Sequence, residues 1–98
     1  MVNLAGLTVA IIAASLAPTV AARNCKTGLN YCGYNLLNIG NYAAQINQAL
    51  SDARQPGDNA HIHESIFHCN GGSNGDITWR AYCSSGCKDG GSGKSDFC

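Results

Sequence analysis

The side chains of this sequence with the most chemical reach lie close together: His61, His63 and Glu64, then His68, then Arg80. His-x-His in an extended segment points both imidazoles to one side, which suits zinc or copper. His68 with Glu64 and Arg80 offers a second chemistry, the acid–base cleavage performed by a small hydrolase or nuclease. Neither pattern is complete. Only two imidazoles align, no third ligand is assigned, and no nucleophile stands beside a base. The simpler reading places these histidines along a solvent-exposed strand, and it assigns no catalytic residue, no metal ligand and no cofactor.

A second motif lies in CKDGGSGKSDFC, Cys87 to Cys98, where Gly93-Lys94-Ser95 reproduces the tail of a phosphate-binding loop. A Walker loop needs glycine five residues before Gly93, and Lys88 stands there instead. It also needs a buried strand before it and a helix N-terminus facing the phosphate, whereas turn-forming residues surround this motif. The stretch reads as a solvated loop whose glycines permit positive φ. A bridge between Cys87 and Cys98 is the favoured pairing, because it closes a loop with no other means of order. Cys25, Cys32, Cys69 and Cys83 then pair among themselves.

The compartment follows from the other end of the chain. Leu4 to Val20 is apolar and uncharged, and Thr19-Val20-Ala21-Ala22 supplies the small residues of a signal-peptidase site. Residues 1–22 are read as a signal peptide and 23–98 as a single secreted domain, with no stable membrane span after cleavage. Removing 22 residues from 98 leaves 76, which contain all six cysteines. So short a chain buries little apolar surface, and small secreted domains compensate with disulfides. Six Lys+Arg balance six Asp+Glu. A net charge of zero does not favour nucleic acid or an anionic membrane as partner, and leaves an extracellular or host protein target of unknown identity. No Asn-x-Ser/Thr triplet is present, so no N-glycosylation is expected.

These residues need a scaffold. Tyr42, Ala43, Ile46, Ala49, Leu50 and Ala53 recur at helical spacing, with Asn41 as the expected N-cap and Gln55-Pro56-Gly57 as the stop. A short extended piece to Tyr31 and one helical turn around Tyr34 to Asn38 precede it. After a loop at residues 56–60, IHESIFHC and DITWRAYC read as strands joined by the glycine-rich Asn70 to Gly75. Alternation puts Ile77, Trp79, Ala81 and Cys83 on one face, with Trp79 central beneath the helix. The expected fold class is α+β: one main helix packed on a short antiparallel sheet, stapled by disulfides. Tyr31, Tyr34, Tyr42, Tyr82 and Arg80 are the candidate partner anchors, with Tyr42 the one expected to be buried.

CKTGLNYCGYNLLNIGNYAAQINQAL, SIFHC, ITWRAYC and GCKDGGSGKSDFC together resemble small cysteine-rich secreted proteins of ascomycete fungi, many of them effector candidates. The resemblance implies secretion and disulfides but no reaction. Some secreted fungal proteins of this size share the helix-on-antiparallel-sheet fold of the smut-virus killer toxins. The favoured reading is a non-enzymatic effector-like or toxin-like protein that binds a host or competitor target. A small hydrolase or nuclease using His68, Glu64 and Arg80 comes second, and a protease-inhibitor-type binding module third.

Overall fold

The computed structural model describes residues 24–98; the segment read as a signal peptide lies outside them. The elements in chain order are β1 (Asn30–Cys32), α1 (Gly33–Ile39), α2 (Ala43–Asp52), α3 (Asn59–Glu64), β2 (Ser65–Gly71) and β3 (Asp76–Tyr82). The strands form one antiparallel sheet in the order β1-β2-β3. Three disulfides fasten it: Cys25–Cys69, Cys32–Cys87 and Cys83–Cys98. This is the disulfide-stapled α+β domain expected from the sequence.

Helix α2 buries Ile46, Ala49 and Leu50, the stripe that its periodicity announced. Its start differs from expectation. Tyr42, not Asn41, occupies the N-cap, and no side chain caps the helix. The buried Tyr42 hydroxyl instead donates to the Gly75 carbonyl at 2.9 Å and accepts from the Cys25 N–H at 3.0 Å. Bonds across the fold therefore fix where the helix begins. Arg54, at φ 58°, ends it in the left-handed region, and the Gln55 N–H closes on the Leu50 carbonyl at 2.8 Å.

The central strand β2 is covered on both faces. Phe67 and Cys69 join Leu36, Tyr42, Ile46 and Leu50 in one core, while Ile66 joins Cys32, Cys83 and Cys87 in another. The strict alternation expected of β3 fails at Arg80. Phe67 pairs with Trp79 and Ile66 with Ala81, so Arg80 is an extra residue, a bulge. The bulge shifts the face of everything after it: Ile77 and Trp79 pack on the first core, while Cys83 belongs to the second. Trp79 is consequently not the centre of the domain. Phe67, fully buried, takes that place, and Trp79 sits half-buried at the rim, its indole N–H donating to Ser65 Oγ at 3.2 Å.

Two further expectations are corrected. Residues 59–64, read as loop running into strand, form helix α3, because the Asp58 carboxylate caps it by accepting from the His61 N–H at 2.9 Å. Cys87 and Cys98 do not pair with each other. The loop between them has another means of order in Asp96, whose carboxylate accepts from the N–H groups of Cys32 (2.8 Å) and Gly90 (2.8 Å) and from the Asn35 amide (2.9 Å). Cys87 is thereby carried inward to Cys32, and the exposed Cys98 closes on Cys83. Gly90 is required at this loop, since a Cβ there would overlap the Ser95 carbonyl oxygen.

Candidate functional site

The five residues singled out for chemistry do not form one site. His61 and His63 lie on α3, not on a strand, and a two-residue step on a helix turns their rings to different sides. His61 Nδ1 meets the Asp58 carboxylate at 2.8 Å, and its ring stacks on Tyr82 with centroids 4.0 Å apart. His63 Nδ1 meets the Asn59 carbonyl at 2.8 Å. His68, in mid-β2, meets Asn30 Oδ1 at 2.7 Å, a cross-strand pair with β1. Glu64 ends α3 and accepts the Cys87 N–H at 2.8 Å. Arg80 is exposed on the bulge, and the Asp58–His61 pair is the one salt bridge among the described residues. Among those residues no three His, Cys, Asp or Glu side chains group around a metal position.

The tyrosines are likewise engaged. Tyr31 accepts from the Lys26 N–H, and Tyr34 donates to the Cys87 carbonyl at 2.9 Å. Burial, then the carboxylates of Asp96, Asp89 and Glu64, raise the Tyr34 hydroxyl above its ordinary value, so at neutral pH it stays a donor. Tyr42 is buried, as expected.

The Gly93-Lys94-Ser95 loop borders an open cleft of about 420 Å³ whose walls include Lys26, Tyr31, Asp89, Lys94 and Asp96. Two lysines there face two aspartates, so the cleft carries no excess charge toward a phosphate. Ser95 is already used: its hydroxyl accepts the Asn30 N–H, and the Asp96 N–H donates to the Asn30 carbonyl. The loop closes the outer edge of β1.

The outer edge of β3 has no such cover among the described residues. Cys69 turns both backbone groups toward the β1 side, its N–H to Leu29 and its C=O to the Gly28 N–H. By the alternation of an antiparallel ladder, His68 then faces β3 and Thr78 answers it. The backbone groups of Ile77 and Trp79 therefore point away from the sheet, and no partner reaches them from the described residues. Beside this edge runs α2. Of three adjoining hollows, about 480, 170 and 160 Å³, the first opens at the hairpin loop beside Ser73 and Asn74, and the other two line the space between α2 and β3. Gln45 and Asp76 wall the first two; Ala49, Asp52 and Ile77 wall the second and third. The smallest ends in an apolar notch of Ala49, Ala53, Ile77 and the half-buried Trp79.

Sequence reasoning missed this trough. Its signal lay in β3 being the last strand among the described residues, with no strand partner beyond it there, which the bulge at Arg80 and the position of α2 obscured. Comparison of the chain with protein-family models, curated proteins and solved structures finds no match. No helix among the described residues is long and apolar enough to cross a membrane. Three disulfides in so small a domain are typical of extracellular proteins.

Proposed function

We propose that this chain is a secreted effector-like or toxin-like protein that acts by binding a host or competitor protein rather than by catalysis. One observation carries the reading. Each ionisable side chain that the sequence offered for acid–base work, Arg80 apart, is bonded to a different structural partner, whereas the β3 edge and its trough stand open. A scaffold held by three bridges and presenting an unpaired strand is suited to recognition. The resemblance to ascomycete secreted proteins points the same way.

The test uses the oxidised protein, fluorescently labelled, on plant cells and on competing yeast. Saturable binding displaced by unlabelled protein, and retained by His63→Ala and His68→Ala, is the expected result. Turnover of RNA, DNA, peptide or glycoside substrates that disappears in His68→Ala would establish the enzymatic alternative instead.

A further inference from the structure

We infer that the trough between α2 and β3 takes an extended peptide segment, which adds to β3 as a fourth strand. The inference rests on the binding reading above and names how the partner is held. The backbone groups of Ile77 and Trp79, unpaired among the described residues, are two residues apart, the spacing at which an added strand exchanges ladder bonds. With its seven residues, β3 runs about 23 Å at ~3.3 Å per residue, room for a segment of about six residues. Strand addition obtains affinity from the main chain and specificity from pockets for alternate side chains. The pocket here is the notch of Ala49, Ala53, Ile77 and Trp79, about 160 Å³, which fits one small aliphatic side chain.

Charge narrows the partner further. The charged residues lining the trough are Asp52 and Asp76, both acidic and both exposed, while the exposed Arg80 on the bulge lies outside the trough, past Trp79. Neither takes part in a salt bridge among the described residues. The complementary segment carries Lys or Arg next to its aliphatic residue. A second copy of this chain is the poorer occupant, because it would bring its own α2 and its own acidic trough against this one.

The probe is an acetylated, amidated hexapeptide of alternating Lys and Val, titrated into the oxidised protein to about 5 mM, a concentration that reveals even millimolar affinity. Two-dimensional amide NMR and Trp79 fluorescence read the titration. Saturable shifts confined to Ile77–Trp79 and the end of α2 are expected, with a change in Trp79 emission. The same peptide with alternate amides N-methylated should give none, because its ladder bonds are removed. A Glu-Val hexapeptide should bind about fivefold more weakly or worse, and Asp52→Lys/Asp76→Lys should reverse the preference, at the modest energies of exposed ion pairs. Both positions are exposed, so the double variant should keep its fold. No shift at these amides, equal binding of the N-methylated peptide, or self-association that moves the same amides without peptide would overturn the inference. None of these outcomes touches saturable binding to cells, whose loss would be the failure of the broader reading.

Discussion

Asp96 holds the C-terminal loop to the sheet, and replacing it by alanine measures how much of the domain depends on that carboxylate. Its side chain is 5 % exposed and accepts three hydrogen bonds. Truncation leaves the buried Cys32 N–H without a partner, at about 2 kcal/mol, and the part-buried Gly90 N–H, at about 1 kcal/mol, while the Asn35 amide can turn to water. The expected loss is about 3 kcal/mol, against a total of 5–15 kcal/mol for ordinary domains and the lower part of that range for one this small. At roughly 4–8 °C per kcal/mol, the midpoint of thermal unfolding should fall by about 12–24 °C. Scanning calorimetry of the oxidised Asp96→Ala variant reads this directly. Ser95→Ala is the control, since it removes a single exposed acceptor from the Asn30 N–H and should cost about 1 kcal/mol. A fall of less than about 3 °C in Asp96→Ala, with native disulfides intact, would refute the reasoning.

All six cysteines should be blocked to alkylation without reductant, and peptide mapping should recover Cys25–Cys69, Cys32–Cys87 and Cys83–Cys98. Their sequence separations of 44, 55 and 15 residues correspond to about 4, 4 and 3 kcal/mol of unfolded-state entropy, so the fully reduced chain should lose its fold. Under limiting reductant Cys83–Cys98 should open first, since Cys98 is exposed while both partners of each other bridge are buried. The Asp58 carboxyl is held below its ordinary value by the His61 N–H and then by the His61 imidazole. A lowered folded pKa stabilises α3 above the unfolded carboxyl value, about 3.9, and that contribution is lost as pH falls through the folded value. NMR titration should show Asp58 protonating below the ordinary carboxyl range, and the amides of α3 loosening with it. Lys94→Ala should leave the unfolding midpoint unchanged, and saturable ATP binding lost in that variant would reinstate the phosphate-loop reading.

The legible parts of the fold were those set by local periodicity. The stripe of Ile46, Ala49 and Leu50 declared α2, and the turn residues at Asn70 to Gly75 declared the hairpin. What stayed hidden depended on contacts distant in sequence. The Arg80 bulge leaves no mark in DITWRAYC, because an extra residue changes pairing and not composition. The Asp58 cap turned an apparent strand into α3 and separated His61 from His63. Cys87 went to Cys32 because Asp96, sixty-four positions from the Cys32 N–H it binds, orders the loop from within. The candidate residues were legible by type, but their partners were not: Glu64 binds the Cys87 N–H and His68 binds Asn30.

The central claim is that the fold leaves one strand edge open for recognition. Hydrogen exchange at single amides of β3 in the free, oxidised protein tests it most directly. Thr78 and Ala81, which face β2, should exchange slowly, whereas Ile77 and Trp79, which face outward, should exchange at rates near those of an unstructured chain. Slow exchange at Ile77 and Trp79, equal to that of Thr78, would show the edge already paired and would contradict the account.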